Sequence, residues 1–113
     1  MIRMLTVILL ACAPEQLACA SERPSERGTL DLAFASIQRN EAGIEHARAS
    51  TGSADASCCE VCAAANDAAA EQVRLCGTAR EAADVDALSR CESAQRSVRS
   101  IAERAGSRCR CAR

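Results

Sequence analysis

The side chains with most chemical potential in this chain are its nine cysteines, Cys12, Cys19, Cys58, Cys59, Cys62, Cys76, Cys91, Cys109 and Cys111. Thiols at this density serve disulfide cross-linking in an oxidising compartment, ligation of a soft metal, or thiol–disulfide exchange. Cross-linking is the first expectation, with Cys58, Cys59, Cys62, Cys76, Cys91, Cys109 and Cys111 as candidates. The alternative is a metal centre. Cys59-Glu60-Val61-Cys62 with Cys109-Arg110-Cys111 could present four thiolates to tetrahedral zinc, or soft ligands to Cu(I). Against it, the thiols form no dense array, and both methionines lie within the first four residues. Redox catalysis at the C-x-x-C lacks the βαβ surroundings that such centres use.

Other chemistry is thin. His46 is the single histidine and reads as a solvent-facing side chain. No Ser/His/Asp set emerges, and the carboxylates are scattered beside Arg, as in the helix-surface pairs Glu71–Arg74 and Glu92–Arg96. The expectation is therefore a protein that is not an enzyme and carries no cofactor.

The elements that must hold the cysteines follow from pattern. Arg3 precedes the apolar run Met4–Ala11, too short to span a bilayer and typical of an export signal. Cleavage at Ala18-Cys19-Ala20 would release a chain from Ser21, giving a signal peptide over 1–20. Alternatively, Leu9-Leu10-Ala11-Cys12 resembles a lipobox, with a lipoprotein signal over 1–11 and Cys12 lipidated. Residues 21–28, with Ser-Glu-Arg repeated around Pro24, read as a flexible linker, and 29–113 as one small cysteine-rich helical domain.

Within that domain Leu30, Ala33, Phe34, Ile37, Ile44 and Ala47 fall three, four or seven apart, which predicts a helix over about 30–49 with Thr29 as N-cap. Ser50 to Ser53 ends it. Ser57-Cys58-Cys59-Glu60 is a capping-box pattern, so a second helix should run from Cys58 to about Ala82, with Gly77 a weak point where it could break. Asp84-Val85-Asp86 reads as a turn, Asp86 as the N-cap of a third helix over about 87–105, and Gly106 as the residue after it. Nothing alternates with period two, so the fold class is all-α: a short helix beside an antiparallel helical hairpin, with no sheet.

Composition limits the rest. Lysine is absent, and the fourteen basic residues are all Arg, a bias that fits a GC-rich genome. Net charge is −1, without a basic block for nucleic acid or an anionic membrane. Phe34 is the single aromatic residue, which removes stacking platforms for single-stranded nucleic acid. Membrane contact is expected only through a lipid anchor. After Ala20 only Leu30, Leu32, Phe34, Ile37, Ile44, Val61, Val73, Leu75, Val85, Leu88, Val98 and Ile101 are large and apolar. Cores this small usually need staples.

In an antiparallel hairpin, facing residues have residue numbers of constant sum. Cys76–Cys91 near the turn and Cys58–Cys109 at the open end share one sum. The same register sets Cys62 opposite Ala105, Ala65 opposite Ala102, Ala69 opposite Val98, and Gln72 opposite Gln95. A seam of small residues is what cross-linked helices require, because a disulfide needs Cα atoms about 4.4–6.8 Å apart. Parity bears on processing: cleavage before Ser21 leaves an odd number of cysteines and predicts a disulfide-linked dimer, whereas lipidation at Cys12 leaves an even number of others.

The stretch Cys58–Cys111 resembles small cysteine-rich exported proteins and lipoproteins of unknown function from GC-rich bacteria. In that group cysteines recur every seven residues on two helices that end in a cysteine pair. Cys62 and Cys76 match the first helix and Cys91-Glu92-Ser93-Ala94 the start of the second. Ala69, Val98 and Ala105 depart from the pattern by standing where Cys is expected; Ala69 and Val98 face each other in the register, whereas Ala105 leaves Cys62 to seek a partner at Cys109 or Cys111. The resemblance implies architecture and no activity. The resulting expectation is an exported structural or interaction module of the periplasm or cell envelope, or a secreted one, with a protein partner; the alternative is a thiolate metal-binding protein.

Overall fold

The structure, a computed structural model, describes residues 24–112; the segment expected to be an export signal, with Cys12 and Cys19, lies outside the described residues. Three helices follow in order: α1 over Pro24–Gly52, α2 over Cys58–Ala82 and α3 over Val85–Arg108. No strand occurs among the described residues.

Helix α1 begins at Pro24, five residues before Thr29, so part of the expected linker is helical. Proline suits a first helical turn, where its missing N–H is not needed and its φ is already set. The buried face of α1 is Ile37, Asn40, Ile44, Ala47 and Thr51, at alternating three- and four-residue steps. Helix α2 starts where the capping box places it. The Ser57 hydroxyl accepts from the Glu60 amide at 3.2 Å, and the Ser57 amide donates to Glu60 Oε2 at 3.0 Å. Gly77 does not break this helix.

The hairpin turn is two residues long. Ala83 closes α2 in the left-handed region at φ 50°, donating its amide to the Ala79 carbonyl at 3.0 Å. Asp84, not Asp86, caps α3, because its Oδ1 reaches two free amides, Asp86 at 2.9 Å and Ala87 at 3.1 Å. Gly106 does not end α3 either. It keeps a negative φ, and the helix runs on to Arg108, where Cys109 turns to extended backbone at φ −136° and ψ 154°.

Helix α1 packs on α2 and, less extensively, on α3, and the core lies between all three. That core is poor in large side chains. Ile37, Ile44, Val61, Leu75 and Ile101 are buried, whereas Leu32, Val73, Val85 and Leu88 are exposed. Alanines and the Cys76–Cys91 pair fill the remainder. A second, smaller cluster of Val61, Ala105 and Cys109 closes the open end of the hairpin, flanked by Cys62 and Cys111.

Candidate functional site

Six of the seven cysteines from Cys58 onward stand in pairs at disulfide distance, all joining α2 to α3 or to the segment after it. Cys76–Cys91 crosses beside the turn, with sulfurs 2.00 Å and Cα atoms 4.8 Å apart. Both residues are buried, and the Gln72 side-chain amide lies 3.6 Å from Cys76 Sγ. Cys58–Cys109 crosses at the open end with Cα atoms 5.4 Å apart. These two crossings occupy the register that constant-sum pairing requires.

Cys62 departs from that register. Facing Ala105, it has no thiol opposite and pairs instead with Cys111, at a Cα separation of 5.3 Å. The local geometry explains how. Cys58 and Cys62 are four apart on a helix, hence on one face and separated by about 6 Å of axial rise. Cys109 and Cys111 are two apart in a segment that enters extended backbone at Cys109; an extended chain puts such residues on one side at about 6.6 Å. The two spacings match, so one helical turn and one extended step can be joined by two parallel cross-links. The end of α3 at Arg108 makes this possible.

Cys59 is the free, exposed cysteine of the cluster. The four thiols expected for a metal, Cys59, Cys62, Cys109 and Cys111, therefore comprise one free thiol and three sulfurs in disulfide pairs. Among the described residues, no three His, Cys, Asp or Glu side chains are gathered closely enough to hold a metal ion. His46 is exposed and borders an open groove of about 630 Å³ between α1 and α2, whose walls include Asp55, Asp67 and Glu71 above Ala47 and Ala64. Glu71 is engaged by Arg74 at 2.8 Å, as expected, while Arg96 donates to Ser93 Oγ at 3.0 Å. A second groove of about 480 Å³ runs along the α2–α3 seam, lined by Ala65, Ala69, Val98, Cys109 and Cys111 among others.

Three arginines do positional work that spacing did not reveal. Arg108, last in α3, donates to the carbonyls of Thr51 (3.3 Å), Ser53, Ala54 (3.1 Å) and Ala56 (2.8 Å). Helix α1 has no basic residue in its last turn, and this guanidinium supplies the cation that a helix C-terminus favours. It also fixes the α1–α2 loop beside Cys58. Arg90 bridges α3 to α1 by pairing with Glu41 at 3.0 Å and lying over the Phe34 ring at 5.2 Å. Arg48 donates to Ser97 Oγ at 2.9 Å. Nothing in the sequence singles these arginines out from the other eleven, since their targets are distant in the chain.

No helix among the described residues is long and apolar enough to cross a membrane. In comparisons with known protein families, curated proteins and solved structures, nothing matches this chain.

Proposed function

We propose that this protein is an exported, disulfide-stapled helical module of a bacterial cell envelope, acting through its surface on a protein partner and not through catalysis. The observation that carries the reading is the cysteine arrangement. Three cross-links join the last two helical segments of a chain whose core holds few large apolar side chains, and disulfides at this density belong to oxidising compartments. The apolar run Met4–Ala11 supports export. The rival reading is a thiolate metal protein, in which reduced Cys59, Cys62, Cys109 and Cys111 converge on zinc or Cu(I).

Cell fractionation with mass spectrometry of non-reduced peptides and elemental analysis decides between them. The proposed function predicts envelope or extracellular protein that begins at Ser21 or carries lipid on Cys12, with Cys76–Cys91, Cys58–Cys109 and Cys62–Cys111 bonded and no stoichiometric metal. Reduced protein in the cytoplasm, or purified protein with one zinc or copper per chain and free thiols at Cys62, Cys109 and Cys111, overturns it.

A further inference from the structure

The cysteine cluster at the open end sets one free, exposed thiol on the same helical turn as two cross-linked sulfurs. Cys59 lies between Cys58, bonded to Cys109, and Cys62, bonded to Cys111. Residues three apart on a helix are surface neighbours, whereas adjacent residues diverge. The sulfur best placed for the Cys59 thiol is therefore that of Cys62. We propose that Cys59 and the Cys62–Cys111 pair form an internal thiol–disulfide switch that releases the C-terminal segment while Cys58–Cys109 keeps α3 tethered.

The step balances without oxidant or reductant. The Cys59 thiolate attacks Cys62 Sγ, a Cys59–Cys62 bond forms, the Cys62–Cys111 bond breaks, and Cys111 leaves as a thiolate that takes up a proton equivalent to the one Cys59 lost. Cα atoms three apart on a helix fall within the span a disulfide accepts, but their Cβ atoms, about 5–6 Å apart, exceed its usual 3.5–4.5 Å. The first turn of α2 must tighten to close the new bond, so Cys62–Cys111 is the resting pair and the exchanged form a minor one.

The consequence is local. Cys111 packs against the small cluster of Val61, Ala105 and Cys109, and Cys109 to Ala112 form one wall of the seam groove. Exchange frees Arg110 to Ala112 of that wall, Cys109 staying bonded to Cys58, and presents a new thiol on a short tail, which can attack a disulfide of a partner, forming a mixed disulfide and releasing one partner sulfur as a thiolate. The switch rests on the cross-linked arrangement proposed above.

The test follows the whole oxidised protein over time, without reductant, in the presence of a small alkylating agent, comparing the parent with Cys59→Ser and Cys59→Ala by non-reduced peptide mapping. The parent should accumulate alkylated Cys111 in molecules that carry a Cys59–Cys62 bond, and both variants should label Cys111 at least about tenfold more slowly, because the attacking thiolate is gone. Equal Cys111 labelling in parent and variants, or a parent labelled at Cys59 alone with Cys62–Cys111 intact throughout, overturns the switch while leaving the stapled module in place. A resting map with Cys62 bonded to a residue other than Cys111 overturns the switch and the pairing together.

Discussion

Arg108 shows how much one side chain can decide in a molecule this small. Its fork of donors reaches four carbonyls of the segment leaving α1, satisfying acceptors that the end of a helix leaves open. Arg108→Ala should lower stability by about 1–2 kcal/mol, a reduced value because the site is exposed. Arg108→Lys should recover only part of that, since a point charge cannot divide itself among four acceptors. Thermal melts of the three proteins check this; equal melting temperatures for Ala and Arg would remove the role. Two glycines offer a matched pair. Gly77 is helical, with open space where a Cβ would stand, whereas a Cβ at Gly43 would meet Glu71 side-chain carbons at 3.0 Å. Gly77→Ala should therefore stabilise by about 0.5–1 kcal/mol, and Gly43→Ala by distinctly less, because Glu71 must give way while holding Arg74. Denaturant midpoints compare the two directly.

Helix boundaries turn on caps. Of the three helix starts read from sequence, the one at Ser57 held because the capping box is a two-way motif with both partners named in the chain. The other two moved. Thr29 lies inside α1 because the Pro24 turn is already helical, and Asp84 displaced Asp86 because Ala83 takes the left-handed conformation and delivers Asp84 to two amides at once. Single Asp or Thr residues in a polar stretch compete as caps, and the winner depends on where the preceding helix stops. Ala83 carries a cost for this, since a Cβ is disfavoured at positive φ. Ala83→Gly should raise stability by about 0.5–1 kcal/mol, measured as a shift in the chemical denaturation midpoint with an unchanged slope. A loss of stability would mean that the turn does not hold Ala83 at φ 50°.

Cross-links should carry much of this molecule's stability, because its helices pack mainly through alanine. Five large apolar side chains are buried, and four of the twelve lie exposed. Disulfides act chiefly by restricting the unfolded chain. Replacing Cys76 and Cys91 together by Ala should cost about 2–3 kcal/mol, and full reduction should lower the melting temperature far more than it does in a domain with an ordinary core. Calorimetry with and without reductant measures both. A chain with all seven cysteines from Cys58 onward changed to Ala that melts cooperatively at the parent's temperature would show the core to be sufficient and the staples incidental.

Periodicity and cysteine spacing determine a good deal on their own: three helices, no sheet, a hairpin between the second and third, and a register that aligns Cys76 with Cys91 and Cys58 with Cys109. These are legible because they arise from contacts within one helix or across one antiparallel seam, where position along the chain maps onto position in space. Spacing narrows the partner of Cys62 to Cys109 or Cys111, but the choice of Cys111, the isolation of Cys59 and the reach of Arg108 are not legible in that way. Each depends on where α3 ends and how the chain leaves it, which is settled by the small cluster of Val61, Ala105 and Cys109 closing over the open end. Packing between segments far apart in the chain makes that choice, and no repeat in the residues records it.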